Sequence, residues 1–289
     1  MKNALPGYKI VAGVLTLAGC VENHAGMQKL GSMRPGLTKG DLRTIKGIVK
    51  DMFPEVKRQW IRLHERTKGK NARKAYVLVL RGILPKILEK AGLEDIIFEE
   101  FCLKSNDKKF LNTKKKVVQN KNARWNYNVA DCSQEPDYAN GKGTVHDFKG
   151  MPCASAVRDF LSEVGRRGGL DKLISLFAEA NIYHAKYMRK FGKYVPDSGI
   201  GLHGDSERKL VIGANMGETR ALQFQAFNEA LFTGELVKIK LRDGDMYFMC
   251  ETACGHDWEA RSYRNPHYRH RAGFPKWLDR EMRQQQAKQ

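Results

Sequence analysis

Apolar and polar positions alternate along the chain in two different rhythms. Residues 8–18 form a nearly continuous apolar run ending at Gly19; Ile10, Val11, Val14 and Leu15 are strong strand formers, so a buried strand is predicted. Residues 39–67 carry helical spacing at Leu42, Ile45, Ile48, Val49 and Met52, with Thr38 or Asp41 as the cap. Tyr76 to Leu80 predicts a second buried strand, and Ile83 to Ala91 a short helix closed by Gly92. Residues 94–103 alternate acidic and apolar groups only weakly, and the lysine-rich stretch 104–124 predicts a surface loop or hairpin. The texture then changes. Short apolar runs at 143–148, 200–202, 210–213, 221–227, 236–241 and 246–250 are separated by Gly, Asp and Asn, with helices expected at 152–164 and 170–180. From Pro275 the chain is charged and reads as a surface helix. This order predicts an α+β protein: a β-sandwich or jelly roll with buttressing helices over 118–289, and a basic α/β region, 1–117, packed on it.

Charge sharpens that division. Of the formal +19 carried by 289 residues, +16 falls in residues 1–124 and only +3 in 125–289. The densest patches are Lys57 to Lys74 and Lys104 to Arg124, punctuated by Trp60, Tyr76, Phe110 and Trp125. Clustered cations with interleaved aromatics suit DNA or RNA, although a solvated basic face kept for solubility accounts for the same charge. A hydrophobic content of 42% excludes a disordered or collagen-like polymer, and no run approaches the ~20 apolar residues of a membrane span. Six cysteines lack paired CxxC spacing, so buried reduced thiols in a cytoplasmic or nuclear protein are expected rather than a zinc site. Lys2 and Leu17-Ala18-Gly19-Cys20 imitate a lipoprotein leader, but Pro6, Gly7 and Lys9 crowd the run and a strand explains the same residues. The sequence is silent on oligomeric state.

The most informative segment is Gly199-Ile-Gly-Leu-His203-Gly-Asp205-Ser-Glu. His203 and Asp205 stand two apart at a predicted strand end, so both side chains leave on one face. An imidazole and a carboxylate so placed supply two of the three ligands in a facial triad for Fe(II). A turn that merely contains His and Asp is the ordinary alternative. Upstream stands Asn181-Ile-Tyr183, and downstream Gly244-Asp245-Met-Tyr-Phe-Met249 followed by a histidine-bearing region.

In that order the motifs resemble the AlkB-like branch of the 2-oxoglutarate/Fe(II)-dependent dioxygenases, over roughly residues 118–280. The whole chain further resembles an uncharacterised viral and eukaryotic set of such oxygenases, through Glu22 to Gln28 and Asn120 to Asn126. The resemblance implies a double-stranded β-helix, Fe(II) held by His203 and Asp205, and 2-oxoglutarate hydrogen-bonded by Asn181 and Tyr183. The second iron histidine lies among His256, His267 and His270; His270 is favoured because Arg269-His-Arg-Ala-Gly273 resembles a segment of that set. The arginine pattern that anchors the distal carboxylate in AlkB-like enzymes is absent after the histidine. Lys276 or Arg280 is expected to serve with His270, and Arg269 or Arg271 with His256.

The activity implied is oxidative decarboxylation of 2-oxoglutarate coupled to hydroxylation of a C–H bond, on a nucleic-acid base given the basic region. Asn23, His24, Gln28, Asn120 and Asn126 could read a base edge, and ordinary turn capping explains them equally. A protein or small-molecule hydroxylase and a non-catalytic nucleic-acid-binding protein are the competing classes. A zinc hydrolase is disfavoured, because no H-E-x-x-H frame occurs.

Overall fold

The structure, a computed structural model, describes residues 7–66, 73–228, 231–258 and 266–286. Lys2 and positions 67–72 of the first basic patch lie outside the described residues. The chain begins with β1 (Tyr8–Ala18), β2 (Cys20–Glu22), β3 (Lys29–Gly31), α1 (Lys39–Met52), β4 (Lys57–Arg62), β5 (Tyr76–Arg81), α2 (Leu84–Lys90) and α3 (Ile97–Leu103). Next come β6 (Lys109–Asn112), β7 (Val117–Asn120), β8 (Trp125–Ala130), β9 (Val145–Asp147), α4 (Pro152–Gly168), β10 (Phe177–Met188) and β11 (Lys193–Pro196). The last part holds β12 (Gly199–His203), β13 (Val211–Gly217), β14 (Arg220–Asn228), β15 (Leu231–Leu241), β16 (Met246–Met249), α5 (Glu251–Cys254), β17 (His267–Gly273) and α6 (Pro275–Gln286).

A nine-stranded sheet runs β4-β5-β16-β13-β1-β10-β8-β9, with β11 paired to the far end of β10. A four-stranded sheet runs β12-β17-β14-β15. Every pairing within these sheets is antiparallel except β8 with β9. The protein is therefore α+β, built mostly of antiparallel strands. From β10 onward the chain steps between the sheets: β10, β13 and β16 join the larger, and β12, β14, β15 and β17 the smaller.

Strand β1 is buried from Ile10 to Ala18, as its apolar run requires, and lies between β10 and β13. A Cβ on its Gly13 would stand 2.5 Å from the Phe101 ring, so glycine is what lets α3 approach the sheet. Residues 1–117 thus contribute the central strand, and β4 and β5, to the sheet that β8, β10, β13 and β16 complete. Position 117 itself opens β7, which pairs with β6 as a lysine-tipped hairpin. The backbone does not part there.

Two expected helices differ from the structure. The helix from 39 carries a capping box, with Thr38 Oγ1 accepting from the Asp41 N–H (3.1 Å) and the Thr38 N–H donating to Asp41 (2.8 Å). It stops at Met52, because Pro54 bars Phe53 from helical geometry, and Lys57–Arg62 becomes a strand on β5. Residues 170–180 hold only a short 3₁₀ turn at Asp171–Leu173 before β10 begins. Ala178, Glu179 and Ala180 favour helix locally, but pairing with both β1 and β8 overrides that preference. The weakly patterned 94–103 contains α3 instead. Among the described residues no helix is long and apolar enough to cross a membrane.

His184 on β10 packs edge-on to Tyr8 (5.0 Å between centroids) and against Trp125 (4.6 Å). Burial pushes its pKa down to about 4, while Asp197 opposes the shift. The unfolded chain therefore binds the extra proton first, and stability present above the ordinary histidine range is lost as pH falls. For His184 alone the loss from pH 7 to pH 5 is expected to be about 2 kcal/mol. Urea melts across that interval check it: a His184→Asn variant should flatten the dependence, and an unchanged slope would contradict the assignment.

Candidate metal centre and its cleft

Antiparallel pairing of β12 with β17 sets His203 directly opposite His270, with ring centroids 4.5 Å apart. Asp205 follows in the turn after β12, its N–H donating to the Cys254 carbonyl (3.0 Å). A Cβ on the intervening Gly204 would stand 2.2 Å from the Gly255 carbonyl oxygen and 2.4 Å from the Trp258 ring, so glycine permits this tight turn. Asp205 Oδ1 lies 3.6 Å from His203 Nε2, and Oδ2 lies 3.5 Å from His270 Nε2. One donor atom from each residue falls within 4.8 Å of the others. Cis ligands on bonds of ~2.1 Å stand ~3 Å apart, so small adjustments bring the trio onto one ion. The buried His203-Asp205-His270 group could hold a metal.

The His203 tautomer and the charge states of His270 and Asp205 suit that role. His203 Nδ1 donates to the Gly201 carbonyl (2.7 Å), which fixes the tautomer and leaves Nε2 as the lone-pair donor. Burial opposes the charged form of His203, but the Asp205 carboxylate outweighs it and raises its pKa. Burial pushes His270 down to about 3, leaving it neutral. Burial also works against ionised Asp205, yet Arg208 and both histidines hold its carboxyl well below the usual carboxylate range.

Arg208 continues outward from the trio. Its Nε contacts Asp205 Oδ1 (3.4 Å) and its Nη2 donates to Glu179 Oε2 (3.0 Å). Fully buried Glu179 also accepts from Arg124 Nη2 (3.0 Å) and Asn126 Nδ2 (2.8 Å). Burial would raise its pKa, but the two guanidinium groups lower it on balance. Asn126 accepts in turn from Lys121, whose ammonium also donates to the Asn23 side chain (2.7 Å) and carbonyl (3.3 Å). Asn23 donates to Asp107, which also accepts from Thr144 and Tyr138. Asn23 and Asn126 are therefore spent on internal bonds that tie residues 22–28 to β8, and Gln28 is bonded to Gln134 (2.8 Å). Asp245 is likewise structural, accepting from Arg81 (2.6 Å) and from the Gly82 (3.0 Å) and Arg242 (2.8 Å) N–H groups.

A narrow inner cavity is lined by the trio together with Thr16, Asn181, Tyr183 and Arg220. Asn181 Oδ1 and Tyr183 Oη are buried without a hydrogen-bond partner among the described residues. Arg220, 3% exposed, lies 4.0 Å over the Tyr183 ring and donates from Nη2 to the Gly13 carbonyl (3.0 Å) and Asn215 (2.7 Å). Among the described residues it has no carboxylate partner. Nothing in the local pattern around Arg220 marks it, because its cavity contacts come from Gly13 on β1 and Tyr183 on β10, far away in the chain.

The four cations expected from the sequence lie elsewhere. Lys276 is exposed on the first turn of α6, beside Arg280, Arg283 and Gln284. It does not line the cavity, because the chain turns into a helix at Pro275 instead of entering another strand. Arg280 pairs with Asp197 (2.8 Å), Arg271 with Glu281 (2.7 Å), and Arg269 is sandwiched between Phe227 (4.3 Å) and Trp258 (4.7 Å). Of the remaining histidines, His256 Nδ1 lies 3.2 Å from the Asp205 backbone carbonyl, outside the trio, and buried His267 stacks on Phe227.

An outer cleft of about 480 Å³ opens over His203 and Asp205 along Gly199–Arg208. Trp258 forms one wall; His24, stacked on Phe110 with centroids 3.7 Å apart, contributes another. Trp258 Nε1 and His24 Nδ1 have no hydrogen-bond partner among the described residues. Burial pushes His24 down to about 4 and Lys121 down to about 7.

No family model matches the chain. It is 32% identical over 271 residues to "Uncharacterized protein R156" of Acanthamoeba polyphaga mimivirus, an alignment covering 91% of this chain and 96% of the viral protein.

Proposed function

The chain belongs to the family of that mimivirus protein, and we propose that it is an Fe(II)- and 2-oxoglutarate-dependent dioxygenase of the AlkB-like branch, acting on a base of DNA or RNA. One observation carries this reading: a buried His-Asp-His trio shares a cavity with an arginine that has no carboxylate partner among the described residues. Two imidazoles and one carboxylate are the donor set that leaves open positions on Fe(II). Arg220 would hold the distal carboxylate of 2-oxoglutarate, and Asn181 and Tyr183, with orphaned oxygens in the same cavity, would complete its polar contacts. Together the bound ion and co-substrate would supply oxidative decarboxylation coupled to C–H hydroxylation.

The protein's own residues do the positioning. Gly201 orients His203, Arg208 steadies Asp205, and Trp258 packed on Gly204 shields the trio on one side. The alternation of strands between two sheets supports a double-stranded β-helix. Strand β1 lies between β10 and β13, where it would take the place of a closing eighth strand. Among the described residues no strand follows β17 to bear an anchoring arginine, and β14 would provide Arg220 instead. A nucleic-acid substrate is supported by Phe110: the residue that helps wall the cleft sits on the hairpin that displays Lys109, Lys114, Lys115 and Lys116.

Incubating Fe(II)-loaded protein with 2-oxoglutarate and a panel of methylated oligonucleotides tests the reading. Succinate should form in proportion to a mass change in one oligonucleotide; succinate on peptides alone, or none at all, would overturn it. Arg220→Met is expected to weaken 2-oxoglutarate binding to the Mn(II)-loaded protein by about 10–100-fold, the worth of a charge-assisted pair. Lys276→Ala should leave that affinity unchanged, and the reverse pattern would place the anchor on α6.

A further inference from the structure

We infer that the β10–β11 hairpin is a stacking platform for single-stranded nucleic acid. This rests on the nucleic-acid reading above but uses none of the residues of the metal centre. The hairpin turns at Arg189–Phe191 with Gly192 in the left-handed region (φ 60°). Around that turn Tyr187, Phe191 and Tyr194 are 43%, 54% and 43% exposed, an unusual concentration of aromatic surface. Tyr187 and Tyr194 brace each other edge to face at 5.3 Å, which leaves ring surface open to solvent.

The charge is equally one-sided. Lys186, Arg189, Lys190 and Lys193 are exposed, and residues 185–196 contain no Asp or Glu. The first acid after the hairpin, Asp197, is already paired with Arg280 (2.8 Å). Lys190 Nζ lies 5.8 Å from the Phe191 ring centroid, and Lys186 Nζ lies 5.9 Å from that of Tyr8. Cations beside open aromatic faces match a strand of phosphates and bases, because every base offers a π-face and every linkage a charge.

Position ties the hairpin to the cleft. Strand β10 carries Glu179, Asn181 and Tyr183 at its other end, and β11 runs on to Gly199, which lines the cleft. Tyr194 is five residues from Gly199, a reach of at most ~18 Å. Ser198 locks that junction, accepting from the His184 N–H (2.8 Å) and donating to the His184 carbonyl (3.0 Å). A strand stacked on the hairpin is thereby held near the cleft in which its base would react.

Fluorescence anisotropy with the full-length protein, a labelled oligothymidylate and a duplex of equal length tests this across a salt series. Wild type should bind the single strand more tightly than the duplex. The Tyr187→Ala/Phe191→Ala/Tyr194→Ala variant should lose at least ~5-fold in single-strand affinity for each ring that stacks, with its salt slope unchanged. Arg189→Gln/Lys190→Gln/Lys193→Gln should instead reduce the salt slope by about 2. Phe191→Ala alone leaves the Tyr187–Tyr194 brace in place and guards against misfolding. Single-strand affinity unaffected by the aromatic variants, or binding to anionic phospholipid vesicles but not to oligonucleotides, would overturn the inference. Binding needs no metal, so its loss and the loss of dioxygenase turnover are separate results.

Discussion

Asp205→Asn is expected to abolish tight Fe(II) binding while leaving the fold in place. Each carboxylate oxygen of Asp205 faces one imidazole Nε2, at 3.6 Å and 3.5 Å, so the carboxylate supplies both the central donor and the negative charge of the trio. The amide keeps the side chain's volume but loses that charge, and one of its two ends presents N–H donors where an acceptor is needed. Removing an outer partner of a metal ligand costs 10–100-fold in affinity; replacing the ligand itself should cost at least about 100-fold. Arg208 retains Glu179 and Glu207 as partners, so little destabilisation is expected. Anaerobic titration with Fe(II), alongside thermal melting of the metal-free variant, separates the two effects. Stoichiometric uptake by the variant would remove Asp205 from the centre.

Glu179→Gln carries the largest expected stability change, about 3–5 kcal/mol. The carboxylate is 0% exposed and bonded to two guanidinium groups and one amide. Without its charge, Arg124 and Arg208 face each other across a buried space, with only Asp205 and Glu207, both on the Arg208 side, to offset them. Arg124 Nε and Arg208 Nη1 already lack partners among the described residues, which leaves the cluster little capacity to compensate. Urea unfolding of the metal-free protein should show the full loss, and a change below about 1 kcal/mol would mean that water reaches the arginines. Because Arg208 also steadies Asp205, the variant should bind Fe(II) more weakly as well.

How much of this was legible in the sequence follows from the range of the interactions. His203 and Asp205 are two residues apart, so a local pattern reveals them. His270 is 67 residues beyond His203, and choosing it over His256 and His267 requires knowing that β17, not the turn after α5, pairs with β12. Arg220 escaped notice for the same reason: its neighbourhood is set by β1 and β10 through Gly13 and Tyr183, far away in the chain. The apolar run at 8–18 identified β1 as a buried strand, but nothing in it shows insertion between β10 and β13. The helix expected at 170–180 failed where Ala and Glu preferences were local and the deciding contacts were not.

The most direct test is an anaerobic Fe(II) titration followed by 2-oxoglutarate, monitored by metal stoichiometry and by the visible charge-transfer band of an iron–2-oxoacid chelate. One Fe(II) per chain is expected, with the band appearing only after 2-oxoglutarate is added and lost in both Asp205→Asn and His270→Ala. Absence of stoichiometric iron, or a band that survives those two substitutions, would contradict the assignment of His203, Asp205 and His270 as a metal centre.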